Sequence, residues 1–227
     1  MKSLIIAIDG PSGAGKGTVS RTLAASLGYR HIDTGAMYRA VGWKASADNI
    51  ALDDERAVAA LSERADIVVE GGAVSIDGHD VTRAIRTSEI DKVAAAVARL
   101  PRVREIMVAR QRKIGAPGGV VMEGRDIGTV VFPAADVKIY LDASADERAR
   151  RRVGDEAHTG GQAGQEAVAA SIAARDKADS TRTASPLTLA ADAVYIDTTD
   201  MLIDQVVGRV MRLVTQQIES RTTHRSS

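Results

Sequence analysis

Short apolar runs alternate with longer stretches of helical periodicity along most of the chain, which predicts an α/β fold with a mainly parallel sheet. Strands are expected over residues 4–9, 29–33, 120–123, 137–141 and 193–197, and helices over 15–27, 35–46, 101–114, 145–152, 165–177 and 202–219. Pro101 suits a first helical turn, where its missing N–H has no intrahelical partner to lose. Two stretches break the alternation. Between about 48 and 99, a helix over 54–65 is followed by short runs at 67–70, 74–77 and 80–82, separated by Gly71-Gly72 and Gly78. That spacing is typical of a small antiparallel meander, and it reads as an insertion because the parallel pattern resumes only at Val120. Residues 148–182 carry many arginines around a glycine-dense centre at 160–164, which reads as a flexible tip. Residues 92–101 are alanine-rich, with no packing partner implied by the pattern. The polar stretch 219–227 reads as a frayed tail.

Where the first strand ends, at Asp9, the chain continues Gly10-Pro11-Ser12-Gly13-Ala14-Gly15-Lys16-Gly17-Thr18 and enters a helix. Strand, glycine-dense turn and helix in that order gather backbone N–H groups and a helix N-terminus around one point, where a nucleotide phosphate sits. Glycines permit close backbone approach, and Lys16 supplies a cation for the outer phosphates. This is a P-loop, and it implies nucleoside triphosphate binding. The general pattern places Ser or Thr directly after the lysine to touch Mg²⁺. Here Gly17 takes that place and Thr18 follows, a Gly-Lys-Gly-Thr variant that resembles the nucleoside monophosphate kinases. Parallel sheets bind ligands at the carboxyl ends of their strands, so Asp9, Asp33 and residues 123–126 are expected to converge on one cleft.

Bulk composition narrows the function classes. A chain of 227 residues can bury one substantial core, with room for inserted subdomains. Basic and acidic residues balance at 30 each, which gives no support to a nucleic-acid or membrane-surface role. Cysteine is absent, so disulfides and thiolate metal sites are excluded. The first apolar run is short and ends in the phosphate loop, unlike a signal peptide, and no run approaches the about 18 apolar residues of a membrane span. A cytoplasmic protein is expected, and a monomer, since no strong exposed apolar helix face stands out.

Two more segments carry chemistry. Asp33-Thr34-Gly-Ala-Met-Tyr38-Arg39 follows the second strand, where Arg39 could clamp a phosphate and Thr34 and Tyr38 could bond a ligand. Read alone, it is equally a capped helix with Asp33 or Thr34 as N-cap. Glu123-Gly-Arg125-Asp126-Ile-Gly128-Thr-Val-Val-Phe-Pro133 follows a buried-looking strand, where charges are costly unless paired or used. A surface turn with an Arg–Asp salt bridge is its plainer reading. Arg148, Arg151 and Arg152 could close over phosphates, or form a solvated helix face paired with Asp146, Glu147 and Asp155.

Together, the P-loop, Asp33–Arg39, Pro101-Arg-Val-Arg-Glu105, Glu123–Pro133 and Val137-Lys-Ile-Tyr-Leu-Asp-Ala143 resemble the bacterial cytidylate kinases, collinearly from the first strand to about Ile196. The resemblance implies transfer of the ATP γ-phosphoryl group to CMP or dCMP. It also implies a three-layer α/β/α P-loop core (about 1–47, 100–147 and 183–219), an NMP-binding insertion (about 48–99) and a LID (about 148–182). By the same resemblance, Lys16, Arg125, Arg175 and Arg182 act on the transferred group, and Arg151 joins the loop residues Gly10 to Thr18 on ATP. Thr34, Tyr38, Arg39 and Arg125 hold the CMP phosphate end, Arg104 and Asp126 read cytosine, and Asp179, Arg175 and Arg182 close over sugar and phosphates. Mg²⁺ arrives with ATP, near Thr18.

Two departures from the family pattern are visible. Ala94–Ala96 stand where relatives usually have a Ser, which weakens the base-reading network, and Ala178 stands where they often have an Arg. On the residues alone, a kinase for UMP or a metabolite and a non-catalytic nucleotide switch stay open. The chain has no Asn-Lys-x-Asp segment for reading guanine.

Overall fold

The opening apolar run forms β1 (Ile5–Asp9), and the glycine-rich turn leads into α1 (Lys16–Leu27). The unit repeats in β2 (Arg30–Asp33) and α2 (Thr34–Ala47). An insertion follows, made of α3 (Glu55–Arg64), β3 (Ile67–Glu70), β4 (Ala73–Ile76), the short β5 (His79–Asp80) and α4 (Ser88–Val97). The main pattern resumes with α5 (Pro101–Gly115), β6 (Val120–Gly124), a single π-helical turn (Ile127–Val131) and β7 (Val137–Asp142). The paired helices α6 (Ala145–Val153) and α7 (Gln165–Thr181) come next, then β8 (Val194–Asp197) and α8 (Ile203–Thr223). This computed structural model describes residues 3–155 and 164–223.

The five core strands lie in the order β2-β6-β1-β7-β8, every pair parallel. Side chains alternate across the sheet, so one strand feeds two cores. Ile6 and Ile8 pack with Val19 and Leu23 of α1 and Val206, Val210 and Val214 of α8. Ala7 and Met122 face the opposite layer, with Met37 and Val41 of α2 and Met107 of α5. The result is a three-layer α/β/α arrangement. Helix on both faces explains why β1 and β6 read as continuous apolar runs. In the sheet register Asp9 lies opposite Gly124, and Asp33 opposite Glu123. Three acidic residues therefore reach one edge, as the strand ends require.

Most expected elements appear within a residue or two, and four differences have physical reasons. The expected strand at 80–82 shrinks to His79–Asp80, because the Thr82 hydroxyl bonds the Val74 backbone and turns the chain away. Helix α4 was not expected. Its Ile90, Ala94 and Val97 form a buried stripe against α2, which supplies the missing partner of the alanine-rich segment. A π-helical turn, assigned to no element from the sequence, follows Asp126 and is held by the Ile127 and Gly128 N–H groups donating to Asp9. The tail is helical through Thr223, where fraying was expected from 219. The expected flexible tip falls on residues 160–163, outside the described residues, apart from Gly164.

Candidate active site

The strand ends open into a cleft of about 890 Å³. Its floor is the P-loop. Gly10 takes φ +146°, and a Cβ there would stand 1.9 Å from the Leu141 carbonyl oxygen, so only glycine passes this close to β7. At Gly13 a Cβ would meet the Arg148 backbone at 2.8 Å, which lets α6 sit directly on the loop. Lys16 is buried, and its Nζ donates back to the Pro11 carbonyl at 2.6 Å. Burial, then the charge of Arg125, pushes the lysine down to about 7. Asp9 stands below the loop, where burial raises it to about 6 against the Ile127 and Gly128 N–H groups that it accepts at 2.9 and 2.7 Å. Glu123 accepts from His31 at 2.7 Å and borders the first turn of α1.

One wall comes from α2, α5 and the end of β6. Asp33 caps α2 through the Ala36 N–H at 3.0 Å and pairs with Arg39 at 2.8 Å. Burial alone would raise Asp33, but Arg39 and that N–H outweigh it and hold the carboxyl low. Arg104 is almost fully buried, 5.5 Å from the centre of the Tyr38 ring and paired with Asp126 at 2.5 Å. Burial pushes Tyr38 up to about 12, so it stays a neutral hydroxyl. The Nε atoms of Arg39 and Arg104 are buried with no acceptor among the described residues, which leaves donors for a ligand to take.

The facing wall is α6 and α7. Arg125 pairs with Asp179 at 2.9 Å, and Arg182 reaches Asp179 at 3.2 Å and Asp126 at 3.9 Å. Arg175 meets Asp91 of α4 at 3.2 Å. Arg151 bonds Glu147 at 2.7 Å and both oxygens of Thr198, over the end of the P-loop. Charged side chains from both walls thus share one cleft, most of them in ion pairs and some with donors left over. Such a site can hold two polyanions by exchanging internal carboxylates for phosphate oxygens.

The family model for cytidylate kinase matches residues 6–216. The chain belongs to the cytidylate kinase family. Its relatives include the cytidylate kinase of Desulfitobacterium hafniense strain Y51, 46% identical over 222 residues and covering 96% of each chain. The cytidylate kinase of Bacillus subtilis strain 168 is 47% identical over 220 residues, 95% of this chain and 98% of the relative. Among solved structures, a shikimate kinase from Bacteroides thetaiotaomicron aligns with a TM-score of 0.50 at 13% identity, covering 93% of this chain and 98% of that one. That likeness bears on the parallel-sheet kinase fold alone.

Within this member of the cytidylate kinase family, the cleft is lined by Ser12 to Thr18 and by Thr34, Tyr38, Arg39, Arg104, Arg125, Asp126, Arg151, Arg175, Asp179 and Arg182. Gly10 and Pro11, the first two loop residues, do not line it. The Thr34 hydroxyl donates to the Glu123 carbonyl at 2.7 Å, so only its acceptor side is open to a ligand. Arg148 is a correction: it stands behind the loop, bonded to Ser12 and Ala143 carbonyls and to Asp176, and does not line the cleft. Arg150 is the solvated member of its helix face, largely exposed and paired with Glu147. The sequence reading missed Thr198, Met201, Leu202 and Ile203, which wall the cleft beside Arg151. Leu202 is 72% exposed, and no local sequence signal marked the segment.

Proposed function

We propose that this chain transfers the γ-phosphoryl group of ATP to CMP or dCMP, giving ADP and CDP or dCDP. The observation that carries this reading is the buried Arg104–Asp126 pair in the same cleft as the P-loop. A carboxylate accepts from the 4-amino group of cytosine, whereas uracil presents a carbonyl oxygen there and is repelled. Beside it, arginine donors match the O2/N3 edge. Ala95, which lines the base end, offers no hydroxyl to add to that pair.

The division of labour follows from placement. The P-loop amides and Lys16 hold the donor phosphates, with the donor base between Arg151 and residues 198–203. Arg39 and Arg125 grip the acceptor phosphate, and Asp179, Arg175 and Arg182 close on sugar and phosphates. The elements read as a P-loop core, an NMP-binding insertion spanning α3 to α4, and a LID formed by α6 and α7. An acceptor phosphate oxygen attacks the γ-phosphorus while the bond to the β,γ-bridging oxygen breaks. The acceptor is already ionised, so no side chain has to remove a proton. Positioning and charge stabilisation do the work, and α6 and α7 exclude competing water.

A divalent cation, Mg²⁺, fits the donor set at the loop. The exposed Thr18 lines the cleft, and no group of three acidic or histidine side chains is placed to cage a metal among the described residues. Such an ion would be held chiefly by phosphates and water, with the Thr18 hydroxyl beside it, and would neutralise charge on the phosphates. No helix of the described residues is long and apolar enough to cross a membrane. A monomer working in the cytoplasm completes the reading.

The test is ADP release by purified protein with Mg²⁺ and ATP, on a panel of CMP, dCMP, UMP, AMP and shikimate. Turnover should require CMP or dCMP. ADP release that ignores the acceptor, or that prefers UMP or shikimate, would overturn the proposal. Sedimentation of the same sample checks the monomer.

A further inference from the structure

One carboxylate outside the expected set joins the two walls of the cleft. Asp91, in the first turn of α4, stands 2.7 Å from Arg152 of α6, 3.2 Å from Arg175 of α7 and 3.9 Å from Arg39 of α2. It is 15% exposed at the side chain. Its own helix is firmly seated: a Cβ on Gly42 of α2 would stand 2.7 Å from Val93, so α2 and α4 are in close contact through a glycine. Helices α6 and α7 pack on each other. Ion pairs to Asp91 link α4 to both α6 and α7.

The charges explain why a carboxylate is needed there. Arg39, Arg125, Arg152 and Arg175 converge on the acceptor side, and like charges at this range repel. Burial and the nearby Arg125 already make the charge of Arg175 harder to hold. A shared anion fixed on α4 offsets that repulsion and sets how far apart the two walls stand.

We propose that Asp91 is a positioning residue for phosphoryl transfer, acting through Arg152 and Arg175 to dock α6 and α7 against the insertion. The role in transfer rests on the reading of the cleft given above. The docking itself does not. Removing the carboxylate should therefore impair the closed, reactive arrangement more than binding of ATP at the P-loop.

Two measurements test it on the full chain. Asp91→Asn should lower kcat with CMP by about fivefold or more, the range of an ordinary coupling between sites, with KM for ATP within about twofold. Without nucleotide, the same variant should show faster hydrogen exchange in α6 and α7, while α1 and β1 keep wild-type protection. Asp91→Glu, which keeps the charge, should recover most of both effects. Glu89→Gln removes an exposed carboxylate from the same helical turn and controls for a general effect on the helix N-terminus. The proposal is overturned if Asp91→Asn leaves kcat and exchange at wild-type levels, or if Glu89→Gln reproduces its effects. A wild type inactive on CMP would remove the functional reading, and the exchange experiment would still decide the docking.

Discussion

Lys16 carries a conflict between stability and chemistry that two substitutions can separate. Burial and the positive charge of Arg125 lower it to about 7 from 10.5, so the folded state binds its proton less well than the unfolded chain does. The resulting penalty is absent above about pH 10.5, grows as pH falls, and is complete below about 7. Lys16→Met removes both the penalty and the cation. Turnover should fall below about 1% of wild type, since a P-loop lysine contributes charge stabilisation of several kcal/mol. Melting temperature without nucleotide should rise relative to wild type, and the gap should widen from pH 10 to pH 7. Steady-state rates and a pH series of thermal melts check the two halves. At the other end of the cleft, Asp126→Ala should raise KM for CMP by a factor equivalent to about 1–3 kcal/mol while leaving KM for ATP nearly unchanged. It should also narrow the preference for CMP over UMP. Parallel titrations of both acceptors read this directly.

At the scale of elements, the α2–α4 contact is the most sensitive joint in the insertion. Gly42 is buried in α2, and a larger side chain there must displace Val93 or the helix carrying it. Gly42→Val should cost about 1–3 kcal/mol of stability by overpacking, measured by urea denaturation. By moving α4, it should also slow CMP turnover more than it weakens ATP binding. The same joint shows where sequence reading stops. Ile90, Ala94 and Val97 recur at helical spacing, but alanine gives little apolar contrast, so the helix left only a faint pattern. The central strands β1 and β6 were legible because burial on both faces makes short unbroken apolar runs, at 5–8 and 120–122. The site divides in the same way. Lys16, Arg39 and Arg125–Asp126 lie in contiguous motifs whose chemistry is local. Asp91, Asp176 and Thr198 act by reaching a distant segment, and nothing adjacent in the chain marks them. Arg148 illustrates the reverse error. Its place in an arginine run suggested phosphate contact, yet its hydrogen bonds tie α6 to the Ser12 carbonyl behind the loop.

For the whole molecule, the equality of 30 basic and 30 acidic residues hides a strongly organised interior. The cleft arginines are held by Asp33, Asp91, Asp126 and Asp179, contributed by four separate elements and segments. On the proposed reading of the cleft, each substrate would displace some of these carboxylates, and the two would draw on overlapping sets, with Arg125 and Arg175 between the donor and acceptor ends. Once one nucleotide has drawn α6 and α7 inward, the other meets arginines already in place, so binding of the two should be positively coupled. Saturation at about 100 times Kd stabilises the folded state by about 2.7 kcal/mol for one ligand, which for a chain of this length raises the melting temperature by roughly 5–10 °C. CMP together with a non-transferable ATP analogue and Mg²⁺ should exceed the sum of the two separate stabilisations. Isothermal titration of CMP with and without the analogue measures the same coupling as a ratio of dissociation constants, expected at about fivefold or more. In Arg182→Ala, the ratio should fall toward one and kcat should drop, because this residue, held by Asp179 of α7, reaches Asp126 across the cleft. Equal affinities with and without the analogue in the wild type would mean that the walls of the cleft bind their ligands independently, and closure would then have no part in the reaction.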